Sequence, residues 1–175
     1  MKHPLEKFRY CPVCGSARFE VHNFKSKACA DCGFVYYGNP SSATAAFIVN
    51  DKDELLAVRR AKEPAKGTLD LPGGFVDFGE DCEQGMRREI EEETGLVVGD
   101  IQYLFSTPNE YLYSGMLIHT VDANYLVRVP GHVEPHAADD AAEALWIPLA
   151  QVNPDDFGLL SIRSSLTRFL RDYRP

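Results

Sequence analysis

Four glutamates and an arginine crowd into one short stretch, Arg88-Glu89-Ile90-Glu91-Glu92-Glu93, and their spacing decides what they can do. On a helix turning about 100° per residue, Glu89, Glu92 and Glu93 fall within about 100° of arc and share a face, while Glu91 points away. Like charges at these spacings repel by a few tenths of a kcal/mol per pair. A divalent cation reverses that sign. Hard carboxylate oxygens suit Mg²⁺ or Mn²⁺, and Mg²⁺ commonly combines one or two carboxylates with phosphate oxygens and water. A cation and a diphosphate are the expected cargo, although an acidic, solvated helix would carry the same glutamates.

A second constellation lies near the start, where four of the five cysteines form Cys11-Pro-Val-Cys14-Gly15 and Cys29-Ala-Asp-Cys32-Gly33, fourteen residues apart. Two residues between cysteines let a tight turn aim both sulfurs at one ion, and two such turns complete a tetrahedron for Zn²⁺. Disulfides are the competing use of these thiols, and the opening residues, which do not read as a signal peptide, disfavour them. Four thiolates leave the ion no open position, so its role is structural. The Arg18 to Lys27 segment reads as short strands of a ribbon that needs the metal to fold. Cys82 reads as a small packing residue.

Both sets need a scaffold. Asp81 and Gln84 form a capping-box pattern, and Gly95 suits the left-handed position that ends the helix. Met86 and Ile90 sit one turn apart and can bury the helix against a sheet. Gly73 and Gly74, just before it, permit an unusual backbone path. Ala43 to Val49 and Leu55 to Arg59 read as a hairpin about Asp51-Lys52-Asp53. Ile101 to Ser106, Leu117 to Val129 and Ala144 to Ile147 read as further strands, and Ser161 to Tyr173 as an amphipathic helix capped by Ser161. The pattern predicts an α/β fold, a mixed sheet between helices. Gly38-Asn39-Pro40 marks a boundary between a ribbon at 1–38 and a larger domain at 39–175.

Composition narrows the class. With 45% hydrophobic and 25% charged residues among 175, a soluble globular protein is expected. No apolar run approaches the roughly 18 residues that span a bilayer, so no membrane partner and a cytoplasmic location are expected. Residues 1–38 hold six Lys/Arg against three Asp/Glu, and the remainder twelve against twenty-three. Such an acidic body repels a long nucleic-acid backbone, whereas a small phosphorylated substrate is reached through bound cations.

Gly74, Glu80, Arg88, Glu89, Ile90, Glu92, Glu93, Gly95 and Leu96 satisfy every fixed position of the 23-residue Nudix box, and the chain resembles Nudix hydrolases from about Ser41 onward. The resemblance implies an α/β/α sandwich with a mixed sheet and hydrolysis of a nucleoside diphosphate linked to another moiety. It implies Glu89, Glu92 and Glu93 as Mg²⁺ or Mn²⁺ ligands, Gly73 as a carbonyl ligand, and Glu80 and Arg88 as the ion pair that orients them. Glu92 is the first choice for the proton acceptor. Asp140 and Glu143, in the loop before Leu145-Trp146-Ile147-Pro148, are the alternatives.

A zinc ribbon ahead of such a domain resembles NADH pyrophosphatases, which often form dimers, so a homodimer is a further expectation. Those enzymes carry Ser-Gln-Pro-Trp-Pro-Phe-Pro after the box, whereas this chain has Ser106-Thr107-Pro108-Asn109-Glu110-Tyr111. Tyr111 and Tyr113 are candidates to stack on a base, and Arg59 and Arg60 to clamp a phosphate. The expected substrate is an ADP-linked dinucleotide or nucleotide sugar, NAD(H) first. FAD, ADP-ribose or a diadenosine polyphosphate is the alternative. A non-catalytic nucleotide sensor or an RNA-binding module is the alternative class.

Overall fold

The computed structural model describes residues 3–129, 133–138 and 141–173. Three short antiparallel strands, β1 (Phe19–Asn23), β2 (Ser26–Cys29) and β3 (Val35–Tyr37), make a small sheet at the N-terminus. Its core is little more than Cys11, Phe19 and Cys29, with Phe8 and Phe34 packed against them. So few apolar side chains cannot offset the entropy of ordering the segment unaided.

The rest is built on a six-stranded mixed sheet. Its strands are β4 (Ser41–Asn50), β5 (Glu54–Arg60), β6 (Leu69–Asp70), β7 (Ile101–Tyr113), β8 (Met116–Val129) and β9 (Ala141–Pro148). The order is β6-β5-β4-β8-β7, with β9 on β5, and β4 runs parallel to β8 from Ser41↔Thr120 to Asn50↔Val129. Central β4 is buried from Thr44 to Asn50, as expected of a strand covered on both faces. One cover is helix α1 (Cys82–Thr94), whose Met86 and Ile90 pack with Ala46, Ile48 and Leu56. The other is α2 (Leu160–Asp172), whose Leu166 and Phe169 pack with Phe47, Val49 and Leu55. Two apolar layers on opposite faces of one sheet make the α/β/α sandwich.

Several local expectations meet their cause here. The Asp81 carboxylate accepts from the Gln84 amide N–H and the Gln84 side-chain oxygen accepts from the Asp81 amide N–H, while Gly95 ends α1 at φ 71°. Cys82 is partly buried against the α1 layer. At α2 the expectation fails: the N-cap position is Leu159, without a side-chain cap, and Ser161 lies inside the helix, 8% exposed. Ser161 is buried there, facing Asp122 of β8. β7 runs on to Tyr113 because its hairpin with β8 continues through Pro108, which an edge strand tolerates. Among the described residues, no helix is long and apolar enough to cross a membrane.

Candidate active site and metal-binding cysteines

The segment after β6 creates the first special geometry. Residues 72–76 lie along β4, with Ala46 N–H donating to Pro72 O (2.9 Å), Thr44 N–H to Gly74 O (2.8 Å) and Val76 N–H to Ser42 O (3.1 Å). Gly73 takes φ 148°, and a Cβ there would stand 2.2 Å from Thr44 O; one on Gly74 would stand 2.5 Å from Glu89 Oε1. Only glycine lets this backbone approach both the strand and the helix carboxylates so closely.

Behind the loop, α1 presents the carboxylates to an open cleft of about 480 Å³ lined by Gly73, Arg88, Glu89, Glu92 and Glu93. Arg88 is the hub. Its guanidinium donates to Glu80 (2.8 and 3.0 Å), Glu89 (2.9 Å), Glu92 (3.0 Å) and the Phe75 carbonyl (3.0 Å). The bonds it donates to Glu80, then those to Glu89 and Glu92, raise the Arg88 pKa well above its ordinary value. Reciprocally, Arg88 and then the Asp77 amide lower the Glu80 pKa. Glu93 is 8% exposed and accepts the Gly73 N–H at 3.0 Å. The three ligand candidates therefore share one cleft, but their oxygens are divided between Arg88 and Gly73. Among the described residues, the one group of three or more metal-binding side chains within mutual reach of a single ion is the cysteines.

Those cysteines converge. All four sulfurs lie within 4.8 Å of one another, with Cys11 and Cys32 at 3.7 Å and Cys14 and Cys29 at 3.6 Å. Four sulfurs about 2.3 Å from a common Zn²⁺ stand about 3.8 Å apart, so the spacing fits a tetrahedral ion. The backbone N–H of Cys32, and less strongly that of Asp31, lowers the Cys29 thiol to about 6.

The remaining candidates separate. Adjacent residues of a strand face opposite sides, and Arg59 and Arg60 divide accordingly. Arg60 lines the cleft, bonded to the Asp70 carboxylate and to Pro64 O (2.7 Å). Arg59 does not line it; it pairs with Glu143 across β5 and β9 at 2.8 Å and donates to Gly67 O. The pair stands apart from the cleft lining, which includes neither Arg59 nor Glu143. Asp140 lies outside the described residues. Tyr111 and Tyr113 do line the cleft, rings stacked with centroids 6.2 Å apart, and Phe75 stands edge-on to Tyr111 at 6.1 Å.

Sequence reasoning missed several cleft groups, among them Asp70, Thr120, Asp122 and Asn109. Asp70 and Asp122 are both buried, and burial raises both pKa values, with Arg60 opposing the rise at Asp70 and Thr120 opposing it at Asp122. A signal existed: Thr120, Asp122 and Asn124 place polar side chains at alternate positions of an apolar strand, all pointing to one face.

Comparison with known proteins bears on this geometry. The NUDIX domain model matches residues 39–168. NAD-capped RNA hydrolase NudC of Vibrio cholerae serotype O1 is 27% identical over 152 residues, 87% of this chain and 54% of that protein. ADP-ribose pyrophosphatase of Methanocaldococcus jannaschii is 36% identical over 115 residues, 65% of this chain and 64% of that protein. The chain thus spans about half the length of the NudC proteins it matches. Among solved structures, the MutT NUDIX hydrolase from Burkholderia pseudomallei superposes with a TM-score of 0.62 at 25% identity, over 78% of this chain and 99% of that one. A NUDIX hydrolase from Nitrosomonas europaea, 18% identical, shares the fold at a TM-score of 0.69, over 94% and 92%.

Proposed function

The chain belongs to the Nudix family, and we propose that it hydrolyses the diphosphate bond of an ADP-linked dinucleotide or nucleotide sugar, NAD(H) first, with FAD, ADP-ribose and diadenosine polyphosphates as alternatives. The observation that carries this reading is one cleft holding three α1 glutamates beside Arg60, with the Tyr111 and Tyr113 rings in its wall. The NudC relatives, named NAD-capped RNA hydrolases, and the relative named ADP-ribose pyrophosphatase support the substrate class.

The hard oxygens of Glu89, Glu92 and Glu93, with the Gly73 carbonyl, suit Mg²⁺ or Mn²⁺. When bound, the cation supplies Lewis acidity to diphosphate oxygens and lowers the pKa of its water. The chain's own groups do the rest. Arg88 holds Glu89 and Glu92 in place and gives them up as ligands arrive, its remaining bonds to Glu80 and Phe75 O keeping it anchored. Glu92, with its side chain 48% exposed, is the proton acceptor in this reading. Arg60, steadied by Asp70, takes a phosphate oxygen, and Tyr111 and Tyr113 stack on a base. Cys11, Cys14, Cys29 and Cys32 hold a structural Zn²⁺ in a ribbon at 1–38, ahead of the catalytic domain at 39–175.

A second reading has a specific observation behind it. Phe24 and Tyr37 are exposed on the ribbon, and Lys25 lies about 6 Å from both rings, an aromatic and basic surface suited to a single-stranded chain. The substrate would then be RNA ending in NAD. Turnover of NADH, NAD, FAD, ADP-ribose, diadenosine polyphosphates and an NAD-capped oligonucleotide, followed as product release in Mg²⁺ or Mn²⁺, separates these readings. A salt-sensitive preference for the oligonucleotide favours RNA, equal turnover of the free dinucleotide favours the first reading, and no turnover at all refutes both. Light scattering tests the proposed homodimer.

A further inference from the structure

We propose that the end of the cleft against α2, where Asp122 meets Thr120, Asn109 and Ser161, is a ribose-reading subsite that accepts hydrogen bonds from the substrate's adenosine diol and rejects a phosphate there. The proposal rests on the preceding reading to the extent that an adenosine occupies the cleft.

Asp122 is 6% exposed and lines the cleft. Thr120 donates to one of its oxygens, and Asn109 and Ser161 are its other polar neighbours; among the described residues no Lys or Arg pairs with it. A carboxylate has about four acceptor sites; Thr120, Asn109 and Ser161 account for three, which leaves one open to a ligand. Ser161 supplies an independent sign. It is 8% exposed, lines the same cleft and faces Asp122, and beyond that carboxylate its hydroxyl has no hydrogen-bond partner. Buried polar groups left in this state invite a partner.

Charge and spacing identify that partner. Asp70, a second buried carboxylate of the cleft, pairs with Arg60, whereas no Lys or Arg among the described residues stands beside Asp122. A phosphate placed against it would set acceptor oxygens against acceptor oxygens, with like-charge repulsion whenever the carboxyl is ionised. A ribose diol instead brings a donor to its open site, the pairing by which acidic side chains in nucleotide sites select a free ribose 2′-hydroxyl over a 2′-phosphate. The strands set the distance to the aromatic wall. Asn109, opposite Thr120, lies two residues before Tyr111 on the same face of β7, a repeat of about 7 Å, comparable to the span from a stacked base to its ribose hydroxyls.

Calorimetric titration of the full chain with AMP, 2′-deoxy-AMP and adenosine 2′,5′-bisphosphate in Mg²⁺ tests this. The wild type is expected to bind AMP on the order of tenfold or more tightly than either analogue, and Asp122→Asn to bring all three within about threefold while its thermal midpoint and bound zinc stay in place. A purely structural Asp122 would leave the ratios unmoved. Equal affinity of the wild type for AMP and the bisphosphate, unchanged ratios in Asp122→Asn, or no binding of AMP overturns the proposal. Should the variant fail to fold, the wild-type comparison decides alone. Binding is read without turnover, so a chain that discriminates these ligands yet cleaves no dinucleotide refutes the hydrolase reading and leaves the subsite standing.

Discussion

The cysteine head and the glutamate cleft prepare metal ligands in opposite ways. In the head, four sulfurs already stand within 4.8 Å of one another, and beyond Cys11 and Cys29 themselves the small core that brings them there is Phe19 with Phe8 and Phe34 against it. In the cleft, the candidate ligands are kept apart, Glu89 and Glu92 on Arg88 and Glu93 on the Gly73 amide. A site that must hold an ion for folding closes around it, whereas a site that must admit cation and substrate together keeps its charges neutralised by the protein until they arrive. In the proposed reading, convergence of the cysteines goes with a structural ion, and glutamates held by exchangeable protein partners go with a catalytic one.

The contrast is broken most severely at a cysteine. Cys29→Ser should abolish stoichiometric zinc, removing an interaction of about 10–16 kcal/mol, and should render residues 1–38 sensitive to protease while cleft turnover persists. Metal analysis and limited proteolysis check this, and retained zinc would contradict it. Glu92→Gln is the converse, leaving zinc and thermal stability in place while turnover falls on the order of 10²–10⁴-fold. Gly73→Ala sharpens the role of the loop. Its Cβ would meet Thr44 O at 2.2 Å, so beyond strain of about 1–3 kcal/mol at the positive φ it should shift Glu93 and lower activity together with the thermal midpoint.

The smallest effect is one of pH. Glu80 has its folded pKa held below the ordinary 4.5 by Arg88. Its contribution to stability is therefore present above about pH 4.5 and lost as pH falls through the lower folded value. Glu80→Gln should flatten the acid limb of the stability curve in that window. An unchanged limb would mean that the ion pair contributes nothing measurable.

The comparison also explains what the sequence made legible. The cysteines, the capping box of α1, the shared face of Glu89, Glu92 and Glu93 and the buried Met86 and Ile90 are all set by spacing within one element, so period and propensity reveal them. The Arg59 and Glu143 pair arises from strand pairing between residues 84 positions apart, which no local pattern announces. The same reason hid Asp70 beside Arg60. Asp122 was closer to legible, since alternation in β8 exposes its face, but only packing against α2 shows that the face is covered and turned into a pocket end. Ser161 had the residue type of an N-cap and instead lies buried inside α2, facing Asp122. Tertiary packing overrode the local preference.

The most direct test of the central claim follows AMP release from ADP-ribose and NADH in Mg²⁺ and in excess chelator, for the wild type and Glu92→Gln, with bound zinc measured on the same samples. Cation-dependent release by the wild type, lost in the variant while zinc remains, is the expected result. Release that survives both the chelator and the substitution would contradict it, because the α1 carboxylates would then have no part in the chemistry.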